Sequence, residues 1–151
     1  MLIDVDKTLD CTVTVYNRAN AKDVGDKADR YVRKVMFPCN WQEAVTRSVD
    51  ASGTVIINPS IKVQIPASTA DYLPYAEWLG SMDDHFTAST GDYWALGEAP
   101  EAETKAEVLA AVKGLPHFET KGVRDLRNNN GVSAAASGAL KYASIILVEG
   151  V

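Results

Sequence analysis

Cysteine and histidine are scarce in this chain, two of each in 151 residues. Cys11 and Cys39 make no metal-ligand spacing with each other or with His85 and His117, so no metal site is expected. In a reducing compartment both cysteines read as small apolar side chains, neither a disulfide nor a nucleophile. No apolar run comes near the ~20 residues that a membrane-spanning helix needs. Met1–Asp6 places carboxylates where a secretory signal would carry basic side chains, so no signal peptide is expected there. The G-x-S-x-G, H-E-x-x-H, P-loop and dinucleotide patterns are all missing, and an enzyme is not expected.

Basic residues are missing from one long stretch. Between Val63 and Thr104 stand eight carboxylates and no Lys or Arg, whereas the flanks sum to +1 and +2; the whole net charge of −5 originates in that stretch. One reading is a solvated acidic face, and the other is a surface that meets a basic partner or lines a passage for a polyanion. An acidic chain is a poor grip for nucleic-acid phosphates. Trp41, Trp78 and Trp94 also lack the basic interleaving of a single-strand-binding surface. Asp83-Asp84-His85 is the one cluster that could attract a metal. Consecutive strand residues point to opposite faces and no second ligand group stands nearby, so an exposed acidic loop is expected.

What the chain does have is β-branched residues: sixteen Val and seven Ile against ten Leu. That bias favours strands. Cys11–Tyr16 alternates, with Cys11, Val13 and Val15 on the core face, and Asn17–Asp29 follows as a polar segment too charged to be buried. Arg30–Phe37 reads as a second strand whose ladder Pro38 interrupts. Trp41–Val49 alternates again, with Trp41, Val45 and Val49 sharing one side with Glu43 and Arg47. Asp50-Ala51-Ser52-Gly53 predicts a hairpin into Thr54–Ile57. Asn58-Pro59-Ser60 is expected to break or bulge that strand before Ile61, Val63 and Ile65 resume, and all these strands are expected to be core.

Farther along, Pro74–Leu79 reads as a short helix with Tyr75, Trp78 and Leu79 on one face. Gly91-Asp92 opens a strand at Tyr93–Leu96 that Gly97 closes. Thr104-x-x-Glu107 has capping-box spacing and predicts a helix over about 104–113, with Val108, Leu109 and Val112 as its apolar stripe. Phe118–Leu126 reads as a strand with a bulge at Gly122, Asn128–Gly131 as a turn, Val132–Ala139 as loop and Lys141–Val148 as a last strand, apolar on both faces and so either central or packed against a partner. The expected fold is mainly β, a small barrel or sandwich with one short helix packed on the sheet. Residues 1–151 form a single domain, with Met1–Asp10 as a candidate N-terminal arm.

Several of these segments recur in the same order in a known family. They are Thr12–Arg18, Tyr31–Val35 with Asn40-Trp41-Gln42, Ile61–Pro66, Tyr72-Leu73-Pro74 with Glu77-Trp78, Phe86-Thr87, and Gly91-Asp92 through Gly97. Over most of residues 11–97 the pattern resembles the minor capsid or neck proteins of tailed bacteriophages of Gram-positive hosts. Such proteins are similar to the head-closure (stopper) class, small β-barrel-like folds. The resemblance implies a homo-oligomeric ring beneath the portal and adaptor that extends the DNA channel and docks the tail terminator or tail tube. Viral DNA would pass through it without specific binding. It implies a virion protein assembled in the host cytoplasm, with no catalytic residue, cofactor, metal or membrane. Ile65-Pro66 and Gly91-Asp92 match family elements that are structural.

The stretch from Ala67 to Glu103 and the part beyond it exceed a minimal stopper barrel, which leaves room for a tail-terminator or adaptor role. A monomeric binding module is a further alternative. Under the ring reading, Asp83, Asp84, Glu98 and Glu101 are the candidates to face the lumen or a neighbouring subunit.

Overall fold

The computed structural model describes residues 11–66, 72–125 and 145–150. The β-branched alternation becomes six antiparallel strands: β1 (Cys11–Ala19), β2 (Arg30–Val49), β3 (Val55–Pro66), β4 (Tyr93–Leu96), β5 (His117–Asp125) and β6 (Ile145–Gly150). They close into a barrel in the order β1-β2-β3-β6-β5-β4, with β4 returning to β1. Among the described residues three short helices accompany them: α1 (Ala21–Val24), α2 (Tyr75–Trp78) and α3 (Lys105–Val112). The expected mainly-β barrel with a helix on the sheet is therefore the observed architecture.

The barrel interior is filled by Val13, Val15, Met36, Cys39, Val63, Ile65, Phe86, Trp94, Phe118, Ile146 and Val148. Apart from Phe86, which comes from the loop before β4, these are inward strand positions, two residues apart as the pleat requires except for Met36 and Cys39 on either side of the β2 bulge. β1 is buried on its outer face as well. There Tyr16 joins Tyr31, Tyr93, Ala95, Ala99, Ala102, Val108 and Val112 in a second cluster. The segment after β4 crosses β1 and is pinned to it: Thr14 Oγ1 donates to Gly97 O (2.7 Å) and accepts from Ala99 N (2.9 Å), while Tyr16 OH donates to Pro100 O (2.6 Å). That crossing delivers α3 to the outside of the sheet. Thr104 caps the helix by accepting from Glu107 N, and its hydroxyl donates to Glu107 Oε1 at 3.0 Å. The Glu side chain thus meets the Thr hydroxyl, and the backbone bond of a full capping box is replaced. Val108 and Val112 are buried, but Leu109 is 43% exposed, so the stripe is narrower than its sequence indicated.

Several expectations are corrected. Asn17 and Ala19 are buried, because β1 continues two residues beyond Asn17. Pro38 does not end a strand: β2 runs unbroken for 20 residues. Its first half pairs with β1 and its second half with β3, and the register shift between Cys11↔Cys39 and Val13↔Met36 leaves an extra residue where Pro38 sits. A bulge at a change of partner is where a strand tolerates a residue with no N–H. Pro59 likewise lies in an uninterrupted register, opposite Val45. The bulge near Gly122 is present, between Thr120 and Gly122, and β6 is central, between β3 and β5. The readings of Leu126, Asn128–Gly131, Val132–Ala139 and Lys141–Ser144 lie outside the described residues, as does the candidate arm Met1–Asp10.

Candidate functional site

The largest departure from the expected core is the outer part of β2 and β3. β6 ends at Gly150, opposite Ile61. Beyond that point, among the described residues, β2 and β3 pair with each other alone and continue as an arm, Gln42–Val49 against Val55–Ser60, closed by the turn at Asp50–Gly53. At ~3.4 Å per residue it projects roughly 25 Å from the barrel. Asp50 holds the turn: its Oδ1 accepts from Ser52 N (2.9 Å), Ser52 Oγ (2.7 Å) and Thr54 N (2.9 Å). Those bonds hold its carboxyl below the usual range.

Residues directly opposite each other in an antiparallel ladder share a face. Trp41 and Val63, then Glu43 and Ile61, then Val49 and Val55 at the tip therefore lie on one side, together with Val45, Arg47 and Ile57. At the base this side is the barrel interior, where Val63 is buried and Trp41 packs on Phe118 with ring centroids 5.5 Å apart. Farther out the same side is uncovered. Val45, Val49, Val55 and Ile57 are 57–68% exposed, and Ile56 on the other face is 40% exposed. Hydrophobic positions that would be core in a longer barrel thus stand in solvent. Clustered exposure of this kind marks an interaction surface.

The predicted acidic residues gather elsewhere. Arg33 near the start of β2 is flanked by Glu98 (3.6 Å) and Glu101 (3.1 Å), and its Nε donates to Ala99 O at 2.6 Å. On the other side Lys34 Nζ donates to Asp84 O (2.9 Å). Two clefts open there, of about 370 and 190 Å³; Asp83 and Arg30 line both, Asp84 lines the first and Glu101 the second. The fold therefore brings Asp83, Asp84, Glu98 and Glu101 around one stretch of β2, where Arg30, Arg33 and Lys34 partly offset them. Sequence position hides this, since the acids and the bases lie in different segments of the chain.

One carboxylate of the acidic stretch is buried. Asp92 accepts from Arg18 N (2.8 Å), Asn17 Nδ2 (2.9 Å) and Ser89 N (2.9 Å), and Asn17 Nδ2 also donates to Thr87 O (2.5 Å). Burial pushes its pKa up to about 6, against the opposing pull of those donors. Gly91, at φ 97°, lets the Arg18 guanidinium lie against the backbone where any Cβ would stand within 2.7 Å of it. This network ties the loop before β4 to β1, with Asn17 and Asp92 themselves buried. Cys39 is buried and its thiol is pushed up to about 12 by burial, and His85 Nδ1 lies 2.9 Å from Ser81 Oγ. Among the described residues no three His, Cys, Asp or Glu side chains are grouped to hold a metal, and no helix is long and apolar enough to cross a membrane.

A family model described as a family of unknown function (DUF6751) matches residues 8–133. The chain belongs to that family. No curated protein and no solved structure matches it. The DUF6751 match spans the projecting arm, the acidic clefts and the Asp92 network alike, so each belongs to the family's portion of the chain.

Proposed function

We propose that this DUF6751 protein is a structural component of a phage virion, a neck protein whose copies form a ring that closes the head after DNA packaging, extends the DNA channel and docks the tail. The observation that carries this reading is the arm: a projecting hairpin whose apolar face continues the barrel interior and is exposed at Val45, Val49, Val55 and Ile57. A ring needs one patch of each subunit to meet a different patch of the next, and a projecting apolar arm supplies the first of these. The ordered resemblance over residues 11–97 supports the same reading. The acidic clefts suit a wall beside DNA, because carboxylates repel phosphates and let the genome slide. A tail terminator or head–tail adaptor would use the same arm at a different level of the neck.

The gene is expected to lie between portal and capsid genes on one side and tail-tube genes on the other. Antibody-labelled copies are expected at the head–tail junction of purified particles. Absence of the chain from particles contradicts the proposal.

A further inference from the structure

We propose that two free copies of this chain pair through their arms, face to face and running in opposite directions about a two-fold axis at Val45. The proposal goes beyond the ring reading. It concerns the chain before it docks, and it gives the exposed face a first occupant, a second copy of the same face. Exposure of Val45, Val49, Val55 and Ile57 calls for a cover. The charges that stand among them choose which one. Glu43 and Arg47 lie on the apolar side of β2, two positions to either side of Val45, so each is ~7 Å from it along the strand. At the base of the arm, Trp41 Nε1 donates to Glu43 Oε1 (3.1 Å). Arg47 is exposed, and among the described residues it has no hydrogen bond or ion pair.

A half-turn about an axis that lies between two such faces and crosses the strands at Val45 reverses the arm and lays β2 on the other β2. Glu43 of each copy then meets Arg47 of the other, and both charges on the face are compensated. Val45 meets Val45, Ile57 meets Ile61, and Val49 at the tip reaches the base of the other arm at Trp41. A half-turn about an axis along the strands lays β2 on β3 instead. Glu43 then meets Ile61 and Arg47 meets Ile57, so four charges per pair lose water without gaining a partner. The charge pattern therefore selects the antiparallel pair. Two strands wide and roughly 25 Å long, the face is about half of what each partner buries in a standard interface. Such a pair is reversible and parts when the arm docks elsewhere.

Sedimentation velocity of the full chain over a concentration series tests this. The wild type is expected to show a monomer–dimer equilibrium. Glu43→Arg leaves two cations on the face and Arg47→Glu leaves two carboxylates. Each is expected to raise the dimer dissociation constant at least about tenfold, because like charges then meet twice per pair. An equimolar mixture of the two variants is expected to pair as the wild type does, since every Arg again meets a Glu across the axis. That rescue also shows that both variants are folded. The double exchange Glu43→Arg with Arg47→Glu is expected to pair on its own, which keeps the proposal testable where a single variant fails to fold. A wild type with no dimer, single variants that pair undiminished, or a mixture of folded variants that stays monomeric overturns the proposal, and so does a monomeric double exchange. The ring reading is decided separately, by the presence of the chain in purified particles.

Discussion

Asp92 is the residue on which the barrel's response to pH turns. It binds its proton more tightly in the folded chain, at about 6, than at the ordinary value of 3.8 that the unfolded chain has. Folding gains from this group below pH 4 and loses that gain as pH rises through 6. Asp92→Asn lacks the titration, so the stability of the wild type relative to this variant is expected to fall between pH 4 and pH 7, by up to about 3 kcal/mol. Urea midpoints measured across that range check it, and a difference that is flat or grows with pH contradicts it. The role of Asp92 was not legible in advance. Gly91-Asp92 reads correctly as the opening of a strand, but of the four donors around the carboxylate two, Asn17 Nδ2 and Arg18 N, come from more than 70 positions earlier, and only Ser89 N and Oγ are local. Burial of a polar side chain depends on such distant partners, and local pattern carries no trace of them. For the same reason Asn17 looked like the start of an exposed segment.

At the scale of elements, local rules served well where the partner is local. The turn at Asp50–Gly53, the strand at Tyr93–Leu96 and the capped helix α3 all stand where turn chemistry, glycine and Thr104 place them. Thr104→Ala removes the acceptor for Glu107 N and is expected to lower stability by ~1 kcal/mol, read as a shift of the urea midpoint at unchanged slope. An unshifted midpoint would mean that the helix end is held by its packing alone. Pro38 interrupts the β1–β2 ladder as expected, though not the strand, whereas Pro59 neither breaks nor bulges β3, and the difference has a physical reason. Whether a proline breaks a strand depends on whether its position has a ladder partner to lose. Pro38 sits in a bulge where β2 changes partners, and Pro59 sits in the arm, beyond the end of β6. The alternation from Trp41 to Val49 was legible as a strand with one apolar face. That this face outruns the barrel was not, because it depends on where β6 ends.

For the whole molecule, composition located the acidic stretch but not its surroundings; closure of the barrel is what brings Asp83, Asp84, Glu98 and Glu101 beside Arg30, Arg33 and Lys34. The pairs of Glu98 and Glu101 with Arg33 have exposed carboxylates and contribute little to stability. The arm is the stronger element of the account. Its exposed side chains contribute little to the fold of the isolated chain, so replacing Val45, Val49 and Ile57 together by Ser is expected to leave the melting temperature of the monomer within a few degrees. The same replacement is expected to abolish assembly. Native mass spectrometry of the wild type and of this triple variant decides whether the arm joins one subunit to the next. The account predicts one closed oligomer of defined copy number for the wild type at high concentration, and a folded monomer for the variant. A wild type that stays monomeric up to its solubility limit, or a variant that assembles as the wild type does, would contradict it.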